Sequence, residues 1–334
     1  MIDLLNLQEN KVSTDFSGYP VVFLGATGDG KTDSLNRYLR SVAPEGKVPL
    51  FVELEDRYKA IPNLMAQRAY SIPDIISIVN QLKNPKVRER FSCVVFDTMD
   101  KFEEMANRYI ATNKEVEITE DIGFGKGKRY LNAQIGIITE IRNLGLPVNF
   151  TAQIYEKTDI ISKKTTYQTK LNDVTKAQMF HDAFLVGVVK LDNKSKTPLE
   201  SDRLISFRKT ESYIDLKDTF GLPIEMYVSN IKTELQKLFD KKYQASDLTT
   251  NQALEEIVET ETFESVKNKG LELGSLLVEN GYMEEAMNIL KTNIGQNEDG
   301  SPKMFDSLLP TQIDLAKVVV MKLEDLSSKH GLNK

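Results

Sequence analysis

Two regimes of apolar patterning divide this chain. From Tyr19 to about Val228, short apolar runs alternate with longer segments in which apolar residues recur every three or four positions. That is the rhythm of strands and crossover helices in an α/β sheet. It predicts strands at 21–24, 50–54, 93–96, 147–151, 183–190 and 203–207, and helices over 31–40, 72–82, 101–112 and 131–144. Val94-Val95-Phe96 shows no polar alternation, which suits a parallel strand buried on both faces. Beyond Ile231 the strand signals end and a helical period in Leu, Ile, Met and Glu takes over. The predicted division is therefore an α/β core over 1–232 and a smaller α-helical region over 233–334. In the latter, apolar helical faces at 270–279, 283–293 and 312–327 suit a small bundle. Residues 244–262 are polar and hold Glu255, Glu256, Glu259 and Glu261, so they read as a solvated helix or a linker; 293–303 reads as a loop. The chain shows no internal repeat.

Composition narrows the chemistry. At 334 residues and 40% hydrophobic, the chain has material for two folding units. No apolar run approaches the length of a membrane span, and Asp3 and Glu9 interrupt any signal-like start, so a soluble cytoplasmic protein is expected. Cys93 is the single cysteine and sits in an apolar run, where core packing is its expected role. With His181 and His330 the only histidines, a zinc cluster is excluded and any metal should be a hard, oxygen-bound ion. The net charge of −6 argues against a protein coated in nucleic acid. Residues 1–230 carry 31 cationic and 31 acidic side chains, leaving 12 and 18 to 231–334, so the excess acid lies in the C-terminal third.

Gly25-Ala26-Thr27-Gly28-Asp29-Gly30-Lys31-Thr32 fits G-x-x-x-x-G-K-[ST], directly after the apolar strand 21–24 and directly before a helical segment. Glycines in such a loop let successive backbone N–H groups face an anion, and the helix that opens at Lys31 adds the positive end of its dipole. Gly25, Thr27, Gly28, Asp29, Gly30, Lys31, Thr32 and Asp33 are the expected nucleotide-binding residues, with ATP and Mg²⁺ the implied ligands. Lys31 would neutralise the β- and γ-phosphates, and the Thr32 hydroxyl would ligate Mg²⁺. Asp97, ending a buried strand, is the candidate acidic partner of the metal, against the plainer reading of a helix cap; Asp100 reads as a cap or a supporting group. Glu55, just past the strand 50–54, is the candidate for orienting or deprotonating the attacking water. A solvated acidic turn is the alternative there, and Glu53 is second in line.

The phosphate loop, the strand ending at Leu54-Glu55, the Val94-Val95-Phe96-Asp97-Thr98 element and Asn149-Phe150-Thr151-Ala152-Gln153 resemble the successive motifs of RecA-like and replicative-helicase-like ATPases. More narrowly, Gly125-Lys126-Gly127-Lys128 and Lys217-Asp218-Thr219-Phe220-Gly221-Leu222-Pro223 resemble the RecA-like phage nucleotide-binding proteins, including the Sak-type single-strand-annealing recombinases, over about residues 18–230. The resemblance implies a RecA-like P-loop NTPase core with a mostly parallel sheet flanked by helices. It supports Glu55 as the water-activating residue and implies that Gln153 senses the γ-phosphate and reports to a DNA-binding loop. Residues 154–168 follow Gln153 as a polar segment with Lys163 and Lys164 and no hydrophobic period, either a phosphate-gripping flexible loop or a plain surface loop. Phe124, Lys126, Lys128 and Arg129, in 123–130, offer cations and a stacking ring to single-stranded DNA, against a solvated loop or a subunit contact. Lys217 resembles the basic residue that related oligomers insert into a neighbour's site, although Thr219 stands where the helicase-like pattern has arginine; Arg208 and Lys209 are the substitutes.

The expected protein is thus a phage-type, DNA-stimulated ATPase of recombination, annealing or replication, working as a homo-oligomer with its C-terminal region free to dock a partner. A nucleotide-gated partner-binding module such as a helicase loader is the alternative from another class. A P-loop kinase is the third, and no arginine-rich lid supports it.

Overall fold

The computed structural model describes residues 11–115, 126–159, 163–192, 203–213, 215–249, 263–297, 299–308 and 312–332. The chain divides into two compact units, Met1–Glu256 and Ile257–Lys334. Among the described residues no helix is long and apolar enough to cross a membrane.

The first unit opens with β1 (Val12–Ser13) and continues through β2 (Val21–Gly25), α1 (Lys31–Val42), β3 (Val48–Glu53), β4 (Ala66–Arg68), α2 (Ile72–Leu82), α3 (Pro85–Arg88), β5 (Phe91–Asp97), α4 (Met99–Asn113) and α5 (Lys126–Asn143). Then follow β6 (Val148–Gln153), β7 (Tyr155–Thr158), β8 (Thr165–Gln168), α6 (Asp173–Phe180), β9 (Leu185–Lys190), β10 (Leu204–Ser206), β11 (Lys217–Asp218), β12 (Met226–Tyr227), α7 (Ile231–Lys242) and β13 (Leu248–Thr249). The main sheet runs β12-β10-β9-β2-β6-β5-β3-β4, with β11 also paired to β9. From β9 to β4 every neighbouring pair is parallel, while β10, β11 and β12 join antiparallel.

Continuous apolar runs make this sheet a buried middle layer. Every residue of β2 and β5 is buried. Successive side chains alternate between faces. Val22, Leu24, Val94 and Phe96 therefore join the core with Ile75, Phe102 and Ile138 from α2, α4 and α5. Phe23, Cys93 and Val95 join the other core with Leu35 and Leu39 of α1 and Leu235 and Phe239 of α7. Cys93 is a core residue, as its apolar context predicts, and burial pushes its thiol up to about 12.

Three expectations are revised. The predicted division at 232/233 falls inside the first unit, because α7 starts at Ile231 and buries Ile231, Leu235 and Phe239 in the sheet's core. Helical periodicity reports that a face is covered, not which partner covers it. Residues 154–168, expected as a loop, either flexible and phosphate-gripping or plain surface, carry the antiparallel pair β7–β8, with Tyr155 opposite Gln168 and Thr158 opposite Thr165. Tyr167 of that hairpin stacks on Tyr213 at 4.8 Å between centroids, an anchor supplied from 46 positions downstream. Lys126 and Lys128 lie in the first turns of α5 rather than in a loop.

In the second unit α8 (Phe263–Glu279), α9 (Met283–Asn293) and α10 (Ile313–Lys329) enclose a core of Val266, Leu277, Leu290, Phe305, Val319 and Leu323. Gly270 of α8 lies under the Phe305 ring, so close that a Cβ there would stand 2.3 Å from Cζ. Gly270→Val is expected to destabilise this unit by about 1–3 kcal/mol, the usual cost of overpacking. Urea unfolding followed by circular dichroism reads the effect, and an unchanged midpoint would contradict the packing described.

Candidate active site

β2 carries the chain to its carboxyl edge, where the phosphate loop begins. Gly28 and Gly30 take φ of 95° and 82°, the left-handed region that a Cβ disfavours. The loop therefore doubles back, and α1 opens at Lys31 with Gly30 as its cap and no side chain bonded to its first N–H groups. Those donors and the positive end of the helix dipole form an anion cradle. Asp29 steadies the turn by accepting the Ala26 N–H at 2.7 Å. Asp33 pairs with Arg37 one helical turn on, at 2.9 Å.

Lys31 is only 7% exposed, and its ammonium donates to the Ala26 carbonyl at 3.0 Å. Burial lowers its pKa, while the nearby Asp97 and Asp29 carboxylates work against that fall. A cation held this far from water gains most from an anion brought to it.

The facing wall is the end of β5. Thr32 Oγ1 donates to Asp97 Oδ2 at 2.7 Å, which joins the phosphate loop to the strand-end carboxylate 65 residues away. The Thr151 hydroxyl of β6 donates to the other oxygen, Asp97 Oδ1. Burial raises the Asp97 pKa, and these two hydrogen bonds oppose the rise. Register pairs Glu53 of β3 with Asp97. Glu53 is 1% exposed, and burial, with Asp97 adding to it and Arg68 opposing, pushes its carboxyl up to about 9. Its Oε1 is buried without a hydrogen-bond partner. Glu55 is half-buried and accepts the Thr98 hydroxyl at 3.2 Å.

Gln153 closes the third side. Its Oε1 accepts the Tyr155 hydroxyl at 3.0 Å and the Thr27 hydroxyl of the phosphate loop at 3.4 Å, while its main-chain N–H donates to Asp100 at 2.7 Å. Gln153 thus touches the cradle and the first residue of the β7–β8 hairpin through its side chain, and the start of α4 through its main-chain N–H. Thr27, Lys31, Thr32, Glu55, Asp97 and Gln153 line one cavity of about 360 Å³, to which Tyr58 and Ile61 also contribute. That size lies within the usual range of small-molecule sites.

The residues present fit a nucleotide with Mg²⁺. Uncapped N–H groups and a buried ammonium suit a polyphosphate, and Thr32 with Asp97 offers oxygen donors beside it. Among the described residues no three His, Cys, Asp or Glu side chains gather into a metal cage. Mg²⁺ needs none, since it keeps several waters and shares substrate phosphates with one or two carboxylates.

The remaining candidates stand apart from this cavity. Lys126 is exposed, and Lys128 lies 4.0 Å from Asp173. Phe124 and the side chain of Arg129 lie outside the described residues. Lys163 has a φ of 55°, and Lys164 pairs with Glu211 at 2.9 Å. Lys217 donates to the His181 carbonyl at 3.3 Å, and Arg208 and Lys209 are exposed. Sequence reasoning missed Thr151, Thr98 and Tyr155, which hold Asp97, Glu55 and Gln153. Their one available signal was a hydroxyl next to, or two positions from, a singled-out residue.

Residues 17–219 match a family model described as an AAA domain. The chain is also similar to the SPbeta prophage-derived uncharacterized protein YorG of Bacillus subtilis (strain 168), 25% identical over 312 residues that make up 88% of this chain and 91% of that one.

Proposed function

The chain belongs to the AAA domain family, and from that premise we propose that it is a phage-type ATPase with a RecA-like core, whose turnover is coupled to single-stranded DNA in recombination, annealing or replication. The observation that carries this reading is the position of Gln153, whose side-chain oxygen meets Thr27 of the phosphate loop and Tyr155 of the β7–β8 hairpin. A hydrogen-bond exchange at one amide gives nucleotide state a direct route to the hairpin. The antiparallel strands β10 and β12 beyond β9 support the RecA-like assignment, and similarity to a prophage-derived protein supports a phage setting.

In this mechanism the N–H groups at the start of α1 and the Lys31 ammonium hold the β- and γ-phosphates. Thr32 and Asp97 would hold Mg²⁺, which when bound neutralises phosphate charge. Glu55 takes the proton of a water as its oxygen bonds to the γ-phosphorus, and the bond from that phosphorus to the β–γ bridging oxygen breaks to leave ADP and phosphate. Gln153 orients the same water and loses its hold on the γ side once phosphate departs. Lys217, Arg208 and Lys209 are assigned to a neighbouring subunit's site in a homo-oligomer. The hairpin with Lys163 and Lys164, and the start of α5 with Lys126, Lys128 and Arg129, are the DNA-facing elements.

A second reading, a nucleotide-gated partner-binding module, draws on the separate helical unit, where Met283 and Met321 are more than half exposed. Phosphate release measured with and without single-stranded DNA, alongside light-scattering mass, separates the two. DNA-stimulated release by an oligomer is expected. ATP binding with turnover that ignores DNA would overturn the DNA-coupled reading in favour of the second.

A further inference from the structure

Glu53 ends β3 with its main chain held on both sides. Its carbonyl accepts the Ala69 N–H at 2.9 Å and Arg68 Nη1 at 3.1 Å, while the next residue, Leu54, donates its N–H to the Asp97 carbonyl at 2.9 Å. β3 and β5 are parallel, with Glu53 opposite Asp97. Residues paired across a sheet project from the same face. The two carboxyls therefore share the side where Phe51 and Val95, two positions earlier on each strand, pack with Leu35 and Leu39 of α1. From that side Thr32 reaches Asp97.

The Glu53 side chain lines the cavity with Thr32 and Asp97, yet is only 1% exposed. Its Oε1 is buried and has no hydrogen-bond partner. Arg68 does not answer it, because Nη1 serves the main-chain carbonyl and Nε lies 3.4 Å from Asp56. A buried acceptor left without a donor costs stability, and the cost is recovered when a donor arrives. The phosphates of ATP bring acceptors only. Mg²⁺ brings donors, since it keeps several of its waters when it binds. Among the described residues no three His, Cys, Asp or Glu side chains form a metal cage, which suits a part played through water rather than by direct ligation.

We propose that Glu53 is a positioning residue of the metal side, whose carboxyl accepts a hydrogen bond from a water of the Mg²⁺ held by Thr32 and Asp97. The carboxyl has an accepting oxygen in either protonation state, so the role does not depend on its charge. Groups behind the direct ligands fix how those ligands point. The proposal rests on Thr32 and Asp97 holding the metal of bound ATP, and it gives Glu53 a part distinct from the water activation assigned to Glu55.

The test puts Mn²⁺ in place of Mg²⁺. Free Mn²⁺ is read by electron paramagnetic resonance as the full chain is titrated in the presence of a non-hydrolysable ATP analogue. The parent is compared with Glu53→Leu, Glu53→Gln and Asp97→Ala, and each is also melted without ligand. Glu53→Leu is expected to weaken Mn²⁺ binding about tenfold, the low end for losing a group behind a metal ligand. Its ligand-free melting point should equal the parent's or exceed it, since an apolar side chain leaves no unanswered oxygen there. Glu53→Gln keeps an oxygen that accepts and should lose less. Parent-like Mn²⁺ affinity in Glu53→Leu overturns the proposal. So does a loss accompanied by a lower ligand-free melting point, which marks a structural brace, and so does a Glu53→Gln variant as weak as Glu53→Leu, which would show that charge holds the metal. Asp97→Ala checks the premise separately: if it binds Mn²⁺ as the parent does, the reading of the metal side fails and the proposal falls with it.

Discussion

Lys31→Ala is expected to lower ATP affinity by about a hundredfold or more, the scale set by losing charge-assisted bonds to two phosphates. Among the described residues the buried ammonium has one hydrogen-bond acceptor, the Ala26 carbonyl, and the carboxylates of Asp97, Asp29, Asp100 and Glu55 lie near it. No neighbouring cation from the phosphate loop replaces it. The fold itself should survive. Burial lowers the Lys31 pKa, so at neutral pH, well below the unfolded value, holding the charge detracts from native stability. Removing it should leave the melting point without nucleotide unchanged or raised. Calorimetric titration with ATP and differential scanning calorimetry read the two halves of the prediction. Tight ATP binding by the alanine variant would sink the phosphate-site assignment.

Glu55→Gln is expected to lower kcat by roughly a hundredfold to ten-thousandfold, the range of a positioned general base, with ATP affinity little changed. The amide keeps the size of the side chain and can still accept the Thr98 hydroxyl, but it cannot take the proton of the attacking water. Glu53 is the competing carboxylate. Both line the cavity, but Glu53 pairs in register with Asp97 and is 1% exposed, whereas Glu55 stands beyond the strand end and is half-buried. Single-turnover phosphate release from both glutamine variants decides between them. Full turnover in Glu55→Gln with none in Glu53→Gln would exchange their roles.

Much of the sheet was legible because burial on both faces writes itself as apolar runs: 21–24 became β2 and 93–96 the middle of β5. The 72–82 helix is bounded as its pattern predicts, since Ser71 caps it by accepting the Asp74 N–H at 3.3 Å. Periodicity could not assign α7 to its partner. The β7–β8 hairpin was missed because its anchor, Tyr213, arrives from a distant segment.

By itself the sequence determined the phosphate loop. Eight contiguous residues carry their own geometry, with glycines that permit the turn and a helix that supplies its dipole whatever surrounds them. Tertiary structure alone decided what that loop meets. Strand order sets Asp97 against Thr32 and Gln153 against Thr27, contacts that span 65 and 126 positions of chain. Local propensity acts over a few residues, whereas such meetings follow only from the sheet that aligns the strand ends.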